Sequence, residues 1–131
     1  VLLALAWPNH QHHSHAHAWF ATEAKKGWAT CAFTQLGFIR LSSNPAYTRD
    51  AVSPQEAATL LHQWTQLKGH RFWASPAADD PAFYRRAFGH QQVNDAWLVE
   101  VARRNAGRLV TLDTRLPVHS SEPGVVEVIK V

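Results

Sequence analysis

Val93-Asn94-Asp95-Ala96-Trp97-Leu98, followed by Leu109-Val110-Thr111-Leu112-Asp113-Thr114-Arg115, is the stretch that decides how this chain is read. The first piece opens an apolar-faced helix with an aspartate in its first turn. The second is a short apolar strand that ends in an aspartate. In a parallel α/β sheet both positions open at the carboxyl edge, where ligands gather. Two carboxylates at that edge make half of a site for a hard cation; Mg2+ takes oxygen ligands, keeps several waters and needs only one or two carboxylates. Each acid also has an ordinary reading. Asp95 faces the exposed amides of a helix start, and Asp113 suits a turn after a strand. Thr111 stands two residues before Asp113 and so shares its sheet face.

Working outward, apolar runs and helical periodicities alternate along the chain. Val1 to Ala6 reads as a buried strand, broken by Trp7-Pro8-Asn9, so that Asn9 falls at a strand end. His12 to Lys26 has helical spacing at Ala16, Trp19, Phe20 and Ala24, and Gly27 ends it. Trp28 to Ala32 is a second strand. Thr34 is the expected cap of a helix through Leu36, Phe38, Ile39 and Leu41 to about Ser43. Ser53-Pro54 starts another helix, with cap and first-turn proline in sequence. Its apolar stripe is Ala57, Leu60, Leu61, Trp64 and Leu67. Arg71 to Ala74 is a third strand, Asp79-Asp80-Pro81 opens a helix to about Phe88, and Val93 to Ala106 is the last helix. Arg108 to Leu112 and Val125 to Ile129 complete the strands. The alternation predicts one α/β domain over residues 1–131: three layers, α/β/α, around a central parallel sheet of four to five strands.

The composition fits one core: 131 residues, 46% hydrophobic. No apolar run reaches the roughly 18 residues of a membrane span, and the opening apolar run lacks the basic flank of a signal peptide. The net charge is +3 and the pI near 9.4, which permits contact with nucleic acid without demonstrating it. Nine arginines outnumber four lysines, and Arg40 and Arg115 are candidates for phosphate contacts as well as ordinary solvated side chains. The single cysteine, Cys31, excludes an internal disulfide and suits a reducing, cytoplasmic setting. Its apolar surroundings predict a buried thiol. The chain has no methionine, and a start upstream of Val1 is expected. Six tryptophans are expected mostly as core or interface anchors.

One oddity is His10-Gln11-His12-His13-Ser14-His15-Ala16-His17. His13 and His17 stand four apart on a predicted helix, a spacing that can grip Zn, Ni or Cu. No carboxylate or cysteine nearby completes such a site, and a solvated helix face that captures metal adventitiously is the plainer reading.

Four segments together resemble PIN domains of the VapC toxin type: Val1-Leu2-Leu3-Ala4-Leu5-Ala6-Trp7-Pro8-Asn9-His10, Thr34-Gln35-Leu36-Gly37-Phe38-Ile39-Arg40, Asn94-Asp95-Ala96-Trp97-Leu98 and Thr111-Leu112-Asp113. They follow the family's order and span essentially the whole chain. The resemblance implies an acidic cluster that holds Mg2+ or Mn2+ and cleaves RNA, a cognate antitoxin that blocks the site, and a homodimer. It assigns Asp95 and Asp113 as metal ligands and catalytic residues, with Gln35 at the position where the family typically carries a glutamate. Asn9, Thr111, Arg40 and Arg115 fall at the site's periphery. The family's first acid lies upstream of the segment matched by Val1, and Gln35 offers an amide without charge. The expectation is therefore a ribonuclease fold whose activity is impaired. A scaffold that keeps antitoxin or dimer contacts and has lost catalysis is the competing reading, and a histidine-based transition-metal binder is a third.

Overall fold

The computed structural model describes residues 1–120 and 122–131. It divides into two compact units, Val1–Ala74 and Ser75–Val131.

The first unit opens with a helix where a strand was expected: α1 covers Leu2–Ala6. Leu5 N–H donates to Val1 C=O at 3.0 Å and Trp7 N–H to Leu3 C=O at 3.0 Å. The physical reason lies in the residues. A short apolar run has no period of its own, but leucine and alanine are strong helix formers and no β-branched residue follows Val1. Asn9 accordingly sits in a turn beyond a helix, exposed, and not at a strand end.

Helix α2 spans His13–Glu23 and runs into a 3₁₀ turn, Ala24–Lys26. Gly27 leaves it at φ +99°, a left-handed region that glycine enters without steric cost. Strand β1 is Trp28–Thr30. Helix α3 covers Ala32–Ser42 with Cys31, not Thr34, as its cap. Thr34 lies one turn in, and its Oγ1 accepts from Cys31 N–H at 3.1 Å and donates to Cys31 C=O at 3.0 Å. Cys31 is buried with a free thiol. Helix α4, Pro54–Thr65, starts as expected: Ser53 Oγ accepts from Glu56 N–H at 3.1 Å. Strand β2, His70–Phe72, pairs with β1 in parallel, Trp28 opposite His70 and Thr30 opposite Phe72. Phe38, Ala57 and Leu61 form a buried cluster, with Leu2, Leu3, Trp7 and Leu60 packed around it. Pattern and burial agree here, since those positions line the apolar faces of α1, α3 and α4.

In the second unit, the helix expected from Asp79 to Phe88 is only a 3₁₀ turn, Pro81–Tyr84. Asp80 Oδ1 caps it through Ala82 N–H at 2.9 Å, but the apolar face that a longer helix would present is not buried, since Phe88 is left in solvent, and helices gain most of their stability from packing. Helix α5 is Val93–Arg104. It buries Ala96, Val99, Val101 and Ala102. Strand β3, Leu109–Thr111, pairs in parallel with β4, Val126–Val128, with Thr111 opposite Val128. A 3₁₀ turn, Leu116–His119, lies in the crossover and packs against both α5 and β4.

The alternation of helices with parallel strands is therefore present. Among the described residues, however, strand pairing is confined to two separate two-stranded sheets, in place of one sheet of four to five strands. Each strand is three residues long, and the segment expected to supply the first strand is helical.

Candidate active site

Asp95 is the third residue of α5 and its only first-turn acid. Asp113 lies two residues beyond the end of β3. Both belong to the second unit and both are half-buried. The charge of Asp113 reaches Asp95, so the fold brings these two sequence-distant carboxylates within electrostatic range. The Asp95 carboxyl is pushed above the usual carboxylate range, chiefly by burial; the charge of Asp113 adds to the rise, while His119 and Arg115 oppose it. Among the described residues no donor forms a hydrogen bond or ion pair with Asp95.

Asp113 behaves in the opposite way. Arg115 donates to it three times: Nε to Oδ1 at 3.0 Å, Nη2 to Oδ2 at 2.9 Å, and the backbone N–H to Oδ1 at 2.9 Å. These bonds hold its carboxyl down at about 2. Thr111 Oγ1 accepts from Asp113 N–H at 3.0 Å and fixes the turn. Arg115 itself is exposed, so its guanidinium is engaged with an acid while remaining open to solvent.

Sequence reasoning missed His119. It follows Pro117-Val118 without any motif, and only the fold brings its charge within reach of Asp95 and Asp113. Its Nδ1 is buried with no hydrogen-bond partner among the described residues. The other acid of α5, Glu100, is bound by Arg103 and Arg104; the Arg103 bonds chiefly hold it below its ordinary range. Among the described residues no group of three or more His, Cys, Asp or Glu is gathered closely enough to hold a metal ion.

Gln35 lies in the first unit, one turn into α3 after β1. Its Nε2 donates to Thr30 Oγ1 at 3.0 Å, and that hydroxyl stands 2.8 Å from His70 Nε2. Thr30 and His70 are at the β1–β2 pair, so Gln35 is bonded at the carboxyl end of β1. Burial lowers the pKa of His70. Asn9 Nδ2 donates to Asp50 Oδ2 at 2.8 Å, on the wall of an open cleft of about 750 Å3 that also includes Trp7, His10, Tyr47 and Arg49. Arg40 is exposed in the last turn of α3, more than a helical turn from Gln35.

The histidine cluster has a structural use. His13 Nδ1 donates to Ala4 C=O at 2.7 Å and His17 Nε2 to Leu5 C=O at 2.8 Å. Carbonyls in the last turn of a helix lack intrahelical partners, and these two imidazoles satisfy a pair of them on α1. One nitrogen of each ring is thereby committed to the backbone.

The chain alternates helices with parallel strand pairs and sets an acid just past a strand's carboxyl end, the edge where open α/β sheets bind their ligands. Known relatives narrow this. Over 132 residues the chain is 41% identical to ribonuclease VapC39 of Mycobacterium tuberculosis, covering 98% of this chain and 94% of the relative. It is 40% identical over 113 residues to ribonuclease VapC38 of the same organism, covering 86% and 80%. Ribonuclease VapC44 is 39% identical over 116 residues, covering 86% and 81%. No protein-family model matches the chain. The chain belongs to the VapC family of PIN-domain toxins. No helix is long and apolar enough to cross a membrane among the described residues.

Proposed function

We propose that this chain is a metal-dependent endoribonuclease toxin that hydrolyses RNA phosphodiester bonds, with Asp95 and Asp113 as the ligands of one Mg2+ or Mn2+. The observation that carries the reading is Asp95: a half-buried carboxylate with no bonded donor among the described residues, its pKa raised, and within electrostatic range of a second carboxylate. A bound cation would offset the cost of keeping such a group charged. Two carboxylates suffice for one Mg2+ that keeps its waters, so the donor set fits a single hard ion. When bound, the ion supplies charge relief at the scissile phosphate and a lowered pKa for the attacking water. The chain's own residues do the rest. Asp113 stays ionised at any physiological pH, Thr111 fixes the turn that carries it, and Arg115 offers free edges of its guanidinium to a phosphate. For Gln35 a water-orienting role rests on the resemblance alone, its amide being bonded to Thr30 Oγ1. The names of the relatives, all ribonucleases, support RNA as the substrate.

Activity is low on this reading. Gln35 brings no charge where the family typically has a glutamate, and Arg115 competes with the cation for Asp113. The partners are a cognate antitoxin that covers the site and a second copy of the chain, in the cytoplasm where the RNA is. The same two residues favour a second reading, a catalytically silent scaffold that keeps its protein contacts.

The deciding experiment is cleavage of labelled single-stranded RNA with Mg2+ or Mn2+. Wild type should cut and stop on chelation, and Asp95→Asn should lose activity by at least about a hundredfold, as for a group that aids the transition state. Equal cutting by Asp95→Asn would overturn the assignment. No cutting by wild type, with antitoxin binding intact, would favour the scaffold.

A further inference from the structure

Between the 3₁₀ turn Pro81–Tyr84 and helix α5 runs Arg85-Arg86-Ala87-Phe88-Gly89-His90. Phe88 is 90% exposed, the most exposed of the large hydrophobic side chains. A phenyl ring in water gains little for the fold, and its faces are left open to a partner. The loop is nonetheless held in place. Phe88 N–H donates to Gln92 Oε1 at 2.6 Å, and Gln92 ends the short 3₁₀ turn, His90–Gln92, that leads directly into α5. On the other side, Arg86 Nη1 donates to Val118 C=O at 3.5 Å, in the turn that carries His119. The ring is thus presented by a segment tied to both elements that flank the acid pair.

The charge around it has one sign. From Pro81 to Asn94 the sequence has two arginines, one histidine and no acid. Arg85, Arg86 and His90 are all exposed, and Arg85 has no ion-pair or hydrogen-bond partner among the described residues. An exposed aromatic next to a pair of arginines is the chemistry that recognises unpaired nucleotides: the ring stacks on a base, and the guanidiniums meet neighbouring phosphates. A protein partner of this basic surface would instead have to be acidic, and nothing about an apolar, freely exposed ring requires that.

We propose that the segment from Arg85 to His90 is a docking platform for single-stranded RNA, with Phe88 stacking on a base and Arg85 and Arg86 contacting the backbone. The platform deepens the ribonuclease reading and rests on it for the identity of the polymer. It delivers an unpaired strand beside Asp95 and Asp113, and it selects against duplex, whose bases are already stacked.

The test is fluorescence anisotropy of a labelled single-stranded RNA of mixed sequence, in chelator so that nothing is cut. Phe88→Ala should weaken binding roughly tenfold, the effect of losing one stacked base. Phe88→Trp should keep wild-type affinity, and Arg85→Ala should flatten the salt dependence. Duplex RNA should bind equally to wild type and Phe88→Ala. Because Phe88 packs on so little, its variants should melt with wild type, which removes misfolding as an explanation. Unchanged single-strand affinity in Phe88→Ala, or equal loss in Phe88→Ala and Phe88→Trp, would overturn the proposal. So would intact RNA affinity with loss of self-association or of a protein partner, which would make the segment a protein contact. Parallel cleavage assays separate the two readings. Cutting that depends on Asp95 but not Phe88 leaves the ribonuclease and removes the platform; RNA binding that depends on Phe88 without any cutting does the reverse.

Discussion

The guanidinium bonded to Asp113 keeps that carboxylate ionised down to about pH 2. Its folded pKa lies below its unfolded one, so the stability it contributes is present above the ordinary carboxylate range and is lost as pH falls through about 2. Arg115→Ala should return Asp113 to the usual range in an NMR carboxyl titration and flatten the acid limb of stability below about pH 4. It should also tighten Mn2+ binding in calorimetry, because the ion no longer displaces a cation already there. Asp95 has the opposite sign. Its folded pKa is raised, so its contribution is fully present when it is protonated and is lost as pH rises through the folded value. Asp95→Asn should therefore raise the melting temperature at neutral pH, even as it removes cleavage, and added Mg2+ should narrow the gap by stabilising wild type alone. A melting point that falls in the variant would show that Asp95 is held by structure and is not waiting for a ligand. Both acids could be picked from the sequence because each sits at a recognisable element end. His119 could not, since it stands six positions beyond Asp113, at the far end of a turn, and nothing local marks it. Gln35 could be found by position, but its partners Thr30 and His70, forty residues apart, meet only through strand pairing.

Elements were legible where local chemistry and tertiary packing agree. Helix α4 has serine, proline and an apolar stripe in the expected order, and it begins at Pro54. Helix α1 was misread because a run of five leucines and alanines satisfies a strand pattern as well as a helix pattern, and helix propensity decides it. Part of the answer also lay outside the run. Two imidazoles from α2 close the end of α1, turning an apparent metal-binding motif into a backbone clasp. Removing either leaves a carbonyl without its donor. His13→Ala and His17→Ala should each cost about 1 kcal/mol in urea unfolding, the typical net worth of a hydrogen bond. The same variants bear on the metal reading: a large drop in Zn2+ affinity would restore it, and little change is expected, given that each ring has one nitrogen committed.

For the molecule as a whole, apolar patterning located the core of the first unit. Phe38 is 3% exposed and touches the products of three separate helical stripes. Phe38→Ala should destabilise by about 3–5 kcal/mol, read from the urea midpoint and from faster amide exchange within Val1–Ala74. The extent of the sheet was not legible, because alternation fixes the presence and direction of strands but says nothing about how many hydrogen-bond to one another. Pairing across distance has a further consequence, in time. Strand β1 is complete at Thr30, yet its partner ends at Phe72. At the ribosome's roughly 5–20 residues per second, β1 waits about two to eight seconds for the strand that will cover its edge. For that interval the nascent chain exposes open amides and carbonyls beside half-assembled helices, which is when a chaperone has the most to bind.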